Sequence, residues 1–384
     1  MSKNFLKIIS AAIMFLSVSL CSVTVTKAEP EFDINARAGL LMEYETGTIL
    51  YEKNIDQPLP IASVTKIMSL CLIFDEVEQG TLKLDDKVTV SEYAANIGGS
   101  HVFTDAHWQY PASELIKSII IASANDACIA MAEHLAGNEG TFVARMNKKA
   151  QELGMNNTTF VNCTGLPVEG HLSTARDVAI MSRELLGHKD YFKWSSTWMD
   201  EITHKDGRVT GLTNTNKLVR FYDGCDGVKT GYTDEAKHCL SASASRNGTR
   251  MISVILGGET SQKRFDDART LLNYGFANFT TVKLVNKDDV IEQQPAVKNG
   301  MDKVMSVHPA WNVTAVLRKG EEKLIEKEIV LPSEIAAPIQ AGQKVGEIII
   351  RKDGTEMMRV DLVADRDYKD AKLWDILKRI ISLW

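Results

Sequence analysis

The sequence predicts an α+β protein in which an antiparallel sheet carries packed helices and a small all-β domain follows. Two observations predict this class. Strand pairs occur near both ends of residues 29–277, with long apolar helices between them. Residues 278–365 contain short Val- and Ile-rich runs separated by "KNG", "RKGEE" and "KDG", without helical periodicity. A chain of 384 residues is long enough for two such domains.

Residues 1–28 have the order of a secretory signal peptide. Lys3 and Lys7 precede an apolar stretch from Ile8 to about Val25, and cleavage is expected after Ala28. A retained transmembrane anchor is the alternative. Cleavage removes three lysines and no acids, so the formal charge changes from -6 to -9. Because the chain is acidic and has no Lys/Arg cluster, we exclude nucleic acid as a partner.

The next elements follow from turn and helix signals. A hairpin is expected in "ARAGLLMEYETGTILYEKN", around Gly47. "SVTKIMSLCLIFDEVEQG" predicts a helix, apolar on nearly every side, that ends at Gly80. "PASELIKSIIIASANDACIAMAEHLAG" predicts two helices, the first capped by Ser113, with a break at "SAND". Alternation around Asn247 and Gly248 predicts a second hairpin, and "SQKRFDDARTLLNYGF" predicts a helix.

The final segment, residues 366–384, predicts an amphipathic helix. Its apolar face comprises Leu373, Trp374, Leu377, Ile380, Ile381 and Trp384. It is too short to span a bilayer. Trp and Leu residues with cationic flanks favour a helix that lies in a membrane surface. A terminal helix docked on the β domain is the alternative.

Metal chemistry has no support in the sequence. The cysteines left after cleavage are odd in number and scattered, without a C-x-x-C pair. The eight histidines are dispersed and no H-E-x-x-H motif occurs. We therefore expect neither a catalytic metal nor a cofactor.

Ser63 and Lys66 stand three residues apart at the start of the apolar helix, so they share one helix face. A serine hydroxyl is a poor nucleophile until a base takes its proton, and a lysine is such a base only when its pKa is lowered. On its own, this pair is far more often an ordinary helix end.

Two further elements accompany that pair. Ser123 and Asn125 fall in the predicted break between helices, where short polar side chains can reach a cleft. Lys229, Thr230 and Gly231 fall in a predicted strand, where the glycine permits a close backbone approach. Each element alone is common, as a helix cap or an unremarkable triplet.

Together, S-x-x-K, S-x-N and K-T-G in this order form the motif set of penicillin-binding proteins and serine β-lactamases. Residues 36–277 further resemble the serine-type D-Ala-D-Ala carboxypeptidases through "LTNTNKLV", "DGVKTGYT" and "MNKKAQELGMNNTTFVNCTGL". The resemblance implies a transpeptidase-like catalytic domain, a β domain and an amphipathic anchor. It also implies peptidoglycan stem peptides ending in D-Ala-D-Ala as substrates and β-lactam antibiotics as inhibitors. The expected location is the outer face of the bacterial cytoplasmic membrane.

The resemblance also implies residue roles. Ser63 would be acylated, Lys66 would be its base, and Ser123 would relay a proton to the leaving amine. Substrate would be held by Asn125, Lys229, Thr230, Gly231 and Arg264, and the backbone N–H groups of Ser63 and Tyr232 would form the oxyanion hole. A serine β-lactamase and a catalytically silent wall scaffold are the alternatives. The absence of an E-x-x-L-N loop weighs against the first, and the intact motifs weigh against the second.

Overall fold

This computed structural model describes residues 32–372. The helices of that range are α1 (Lys66–Glu78), α2 (Glu92–Ala95), α3 (Ala112–Ala122), α4 (Asn125–Ala136), α5 (Glu139–Glu152), α6 (Ala175–Leu185), α7 (Leu218–Phe221) and α8 (Ser261–Asn278). Short 3₁₀ turns lie at Ala62–Thr65, Lys189–Lys193 and Glu321–Leu324.

The strands of the same range divide at α8. Those before it are β1 (Ala38–Glu43), β2 (Ile49–Lys53), β3 (Lys87–Thr89), β4 (Gln109–Pro111), β5 (Met199–Thr203), β6 (Val209–Thr213), β7 (Cys225–Thr233), β8 (Lys237–Arg246) and β9 (Thr249–Gly258). Those after it are β10 (Phe279–Val285), β11 (Ala296–Lys298), β12 (Val307–Pro309), β13 (Val313–Arg318), β14 (Ile325–Val330), β15 (Glu334–Ala336), β16 (Lys344–Lys352) and β17 (Thr355–Ala364).

The first part of the chain is organised around an antiparallel five-stranded sheet in the order β2-β1-β9-β8-β7. Both predicted hairpins are confirmed as β1–β2 and β8–β9. Asn247 and Gly248 have φ values of 50° and 78°, the left-handed conformations that a tight two-residue hairpin turn requires. The K-T-G triplet lies in β7, at the edge of this sheet.

The predicted apolar helix is α1, and nine of its residues are buried. It contacts α4, α5 and α6 as well as β7, which explains why its sequence has so little polar face. The predicted break is confirmed between α3 and α4. The predicted cap of α3 is wrong: the helix begins at Ala112, and Pro111 occupies the cap position without a side-chain hydrogen bond. Proline fits there because its φ is preset.

The chain after α8 forms an all-β domain with its own buried core. A four-stranded sheet in the order β12-β17-β16-β14 accompanies the β10–β13 and β11–β15 pairs. Glu43 and Thr281 link this domain to the first: Thr281 donates from its hydroxyl to the buried Glu43 carboxylate at 2.8 Å. The predicted fold class is confirmed.

One boundary of the sequence prediction needs correction. Residues 366–372 were expected to begin the terminal helix, but they continue the β domain. Tyr368 pairs with Ile339, is 1 % exposed, and donates from its hydroxyl to Asp365 at 2.6 Å. A buried aromatic ring with a satisfied hydroxyl belongs to a core. The rest of the predicted helix and the predicted signal peptide lie outside the described residues. Within residues 32–372, no helix is both long and apolar enough to cross a membrane.

Candidate active site

Ser63 lies in the 3₁₀ turn Ala62–Thr65 that leads into α1. The turn begins at Ala62 with φ 47°, an uncommon conformation for a residue with a side chain. Two glycines press on it. A Cβ at Gly165 would lie 1.9 Å from the carbonyl oxygen of Ala62, and one at Gly231 would lie 2.7 Å from that of Ile61 and 3.1 Å from the nitrogen of Ser63. The turn is therefore clamped between two backbones.

Lys66 is the first residue of α1 and has no exposed surface. Its Nζ lies 3.0 Å from Ser63 Oγ and donates to the carbonyl oxygen of Thr164 at 2.7 Å. Burial lowers the pKa of Lys66 to about 8, although the nearby Cys128, Cys163 and Asp126 oppose that shift. The structure thus supplies a serine hydroxyl within hydrogen-bond distance of an amine that is partly neutral near physiological pH.

Two buried basic residues, Lys229 and Arg264, lie on the β7 side of the Ser63 turn. Lys229 is 1 % exposed, and its pKa is lowered well below its ordinary value by burial and then by the charges of Lys66 and Arg264. Arg264, in α8, donates from Nη1 to the carbonyl oxygens of Gly231 and Cys239, both at 3.1 Å. Burial lowers the pKa of Arg264 to about 10, and its Nε has no hydrogen-bond partner among the described residues.

Ser123 and Asn125 stand at the break between α3 and α4. Ser123 has left-handed backbone angles (φ 64°, ψ 30°), which end α3 and start a new direction. Within the described part of the chain, Ser123 Oγ and Asn125 Oδ1 are buried without a hydrogen-bond partner. Asn125 Nδ2 donates to the carbonyl oxygen of Gly98 at 2.7 Å, which fixes the amide orientation. Two unpaired polar atoms are left for a ligand.

Thr230 and Tyr232 flank Gly231 in β7 and differ sharply in exposure. Thr230 is 6 % exposed and donates from Oγ1 to Thr215 Oγ1 at 2.7 Å. The Tyr232 side chain is largely exposed, stacks on His238 with 4.5 Å between ring centroids, and donates to Asp234. The close approach of β7 to the Ser63 turn is made by Gly231, the residue before Tyr232.

The structure places Lys66, Lys229, Gly231 and Arg264 around the Ser63 turn, with Thr230 beside Gly231, while Ser123 and Asn125 lie at the break between α3 and α4. It adds three that sequence reasoning missed: the carbonyl of Thr164, which holds Lys66; Gly165, which packs on the turn; and Thr215, which orients Thr230. Their segments, "FVNCTGL" and "LTNTNKLV", carry the resemblance but no motif that assigns these contacts. A cleft of about 400 Å³ opens beside the turn, lined by Ile61, Ala62, Leu166, His171 and Thr233, among others.

Comparisons with known proteins agree with this geometry. Residues 23–260 match the family model "D-alanyl-D-alanine carboxypeptidase", and residues 279–370 match "Penicillin-binding protein 5, C-terminal domain". The chain is 40% identical over 359 residues to the D-alanyl-D-alanine carboxypeptidase DacF of Bacillus subtilis, covering 93% of this chain and 92% of that relative.

Solved structures give the same result. Penicillin binding protein 5 from Haemophilus influenzae aligns with a TM-score of 0.77 at 30% identity, over 89% of this chain and 99% of that one. Penicillin-binding protein D2 from Listeria monocytogenes, solved with ampicillin bound, aligns with a TM-score of 0.55 at 34% identity. That match covers 64% of this chain and 100% of the other. The chain therefore belongs to the peptidase S11 family of D-alanyl-D-alanine carboxypeptidases, which are serine hydrolases.

Proposed function

We propose that this carboxypeptidase acts through an acyl-enzyme on Ser63, with Lys66 as the general base. The observation that carries the proposal is the 3.0 Å distance between Lys66 Nζ and Ser63 Oγ in a buried setting that lowers the pKa of the lysine. Neutral Lys66 takes the hydroxyl proton while Ser63 Oγ forms a bond to the carbonyl carbon before the terminal D-alanine. The carbonyl oxygen becomes an oxyanion.

Backbone N–H groups stabilise that oxyanion. The Gly231 backbone is held against the Ser63 nitrogen, so N–H groups of Ser63 and Tyr232 are supported as the paired donors. The side chain of Ser123, buried and without a partner in the described structure, passes a proton from Lys66 to the leaving amine. The C–N bond then breaks and D-alanine leaves. Water attacks the Ser63 ester, and a second proton cycle restores the hydroxyl.

Substrate recognition needs a cation for the terminal carboxylate and a partner for the peptide amide. Arg264 supplies positive charge beside Gly231, Lys229 adds a buried amine to the same strand, and Thr230, fixed by Thr215, supplies a hydroxyl. The free Asn125 Oδ1 accepts from the substrate amide N–H. The substrates proposed are peptidoglycan stem peptides that end in D-Ala-D-Ala, and β-lactams acylate the same serine.

Release of D-alanine from an acylated D-Ala-D-Ala peptide tests this assignment. Ser63→Ala should abolish release, whereas Ser113→Ala should retain it, because Ser113 makes no side-chain cap at α3. Both variants should unfold at the wild-type midpoint. Release by Ser63→Ala at the wild-type rate would disprove the assignment of the nucleophile.

We further propose that the exported protein is held at the membrane surface by its C-terminal segment. The sequence beyond Lys372 supports this, since it repeats Leu, Ile and Trp at helical spacing beside lysine and arginine. Full-length protein should float with vesicles containing anionic lipid, and protein ending at Lys372 should not. Equal flotation of the two would refute the anchor.

A further inference from the structure

A second cluster of chemically active side chains lies far along α1 from Lys66. Asp75 is near the end of α1, Glu184 is in the last turn of α6, and His188 directly precedes the 3₁₀ turn Lys189–Lys193. One nitrogen or oxygen atom from each of the three lies within 4.8 Å of the corresponding atoms of the other two. Three separate elements thus converge on one point with ligand-type atoms.

The imidazole of His188 stacks on Phe74, with 5.9 Å between the ring centroids, but this contact leaves both ring nitrogens to be explained. His188 is 5 % exposed, yet neither of its ring nitrogens has a hydrogen-bond partner among residues 32–372. Its Nε2 lies 3.7 Å from Asp75 Oδ1, and its Nδ1 lies 2.9 Å from Glu78 Oε1 without hydrogen-bond geometry. Buried polar groups in proteins are normally paired. A buried imidazole directed at carboxylates without bonding them indicates a missing ligand.

The charges around His188 leave an excess of negative charge. Lys149, on α5, lies closest to Asp75 Oδ2 and Glu184 Oε1, at 3.1 and 2.6 Å. Counting Asp75, Glu78 and Glu184 against Lys149 leaves two unbalanced negative charges when His188 is neutral. A doubly charged cation balances that sum once Lys149, which also lies 3.4 Å from Asp75 Oδ1, shifts to keep only Asp75 Oδ2 and Glu184 Oε1 as partners.

We propose that Asp75, Glu184 and His188 bind a divalent transition-metal ion, with Zn²⁺ as the assigned metal. A mixed imidazole and carboxylate set suits Zn²⁺, whereas Mg²⁺ and Ca²⁺ prefer oxygen ligands alone. Bonds of about 2.0–2.2 Å place donors in a tetrahedral site about 3.4 Å apart, which small side-chain rotations reach from the present separation. Glu78 then accepts a hydrogen bond from His188 Nδ1–H and fixes the orientation of the ring, as carboxylates behind metal-bound histidines do in zinc sites.

The proposed ion has a structural role. It would tie the end of α1 to α6 and to the turn that follows it, while Lys66 occupies the other end of α1. Binding to the folded state alone raises stability by mass action. We therefore expect Zn²⁺ to raise the unfolding midpoint and to leave D-alanine release unchanged.

The experiment uses full-length protein without a polyhistidine tag, first stripped with chelator and then titrated with Zn²⁺ against a chromophoric chelator. Wild type should bind one equivalent with a dissociation constant at or below the micromolar range. His188→Gln and Glu184→Gln should each weaken binding by at least about 100-fold, and Glu78→Gln by about tenfold. Co²⁺ in place of Zn²⁺ should give the visible absorption of a four-coordinate site in wild type only.

His107→Gln is the matched control, because His107 forms an exposed pair with Glu92 and should not affect the binding. Glu184 is 31% exposed at its side chain, so its variant tests the site if His188→Gln does not fold. Absence of stoichiometric binding by wild type overturns the proposal. Equal binding by wild type and both ligand variants also overturns it, and would mean adventitious surface binding.

Discussion

The side-chain nitrogen of Lys66 lies 3.0 Å from the hydroxyl oxygen of Ser63, at the junction of a 3₁₀ turn and α1. The lysine is held there by the carbonyl oxygen of Thr164 and is closed off from solvent. Burial makes the neutral amine accessible near neutral pH, which is what a general base for a serine requires.

The acylation rate should follow the protonation of Lys66. The base must be neutral, and burial lowers the pKa of Lys66 to about 8, so the rate should rise with pH and level off above about pH 8. A pH profile of acylation by benzylpenicillin measures this. Lys148→Met, which removes an exposed lysine paired with Glu152, should leave the profile unchanged. A flat profile between about pH 6 and 10 would contradict the role of Lys66.

Gly231→Ala should impair catalysis without abolishing the fold. Its Cβ would lie 2.7 Å from the carbonyl oxygen of Ile61, so β7 must move away from the Ser63 turn. Displacements of about 1 Å at a reacting centre cost about 100-fold in rate. Gly211→Ala is the control, because a Cβ there meets no atom within 4 Å. Steady-state release of D-alanine compares the two. Equal rates for both variants would show that the close approach is not needed.

Arg264→Gln should reduce the preference for a free terminal carboxylate. The guanidinium is buried against the carbonyl oxygens of Gly231 and Cys239, and its charge acts on the cleft beside β7. We expect the ratio of kcat/KM for a peptide acid over its carboxamide to fall about tenfold or more, since charged hydrogen bonds contribute about 1.5–3 kcal/mol. Arg269→Gln, an exposed change on the same helix, should keep the wild-type ratio. An unchanged ratio in Arg264→Gln would remove Arg264 from carboxylate recognition.

Asp126→Asn should lower the free energy of unfolding by weakening the attachment of the segment 98–104, which contacts Asn125. The buried Asp126 carboxylate accepts from the backbone nitrogens of Val102, Thr104 and Ala127, at 2.9 to 3.2 Å. An asparagine amide turns a donor towards these donors, at a cost of about 1–3 kcal/mol in the free energy of unfolding. Urea unfolding measures the loss, with the exposed Asp288→Asn as control. Equal unfolding free energies for wild type and Asp126→Asn would show that these hydrogen bonds to Asp126 do not stabilise that segment.

The sequence predicts local features of this protein better than its distant contacts. Asn247 and Gly248 predict their hairpin because the turn requires residues that adopt left-handed backbone angles. The sequence of α1 predicts its burial because nearly every position is apolar. The assignment of the three motifs to one active site came from the resemblance to a known family, because their spacing in the sequence does not predict it.

Contacts between distant segments carry no local signal. The Thr164 carbonyl reaches Lys66 across 98 residues, and Gly165 touches the Ser63 turn through its backbone, so side-chain patterns do not reveal either contact. The predicted start of the terminal helix at residue 366 is wrong for a related reason. The apolar face of the predicted helix begins only at Leu373, and the β-domain core, not a local signal, decides the place of Tyr368.

Intact-protein mass spectrometry after incubation with benzylpenicillin tests whether Ser63 is a nucleophile that Lys66 activates. Wild type should gain the mass of one penicilloyl group on the peptide that contains Ser63, Ser63→Ala should gain none, and Lys66→Met should acylate at least about 100-fold more slowly. An adduct on Ser63→Ala, or acylation of Lys66→Met at the wild-type rate, would contradict the account. Rapid turnover of the drug without an adduct would instead indicate a β-lactamase.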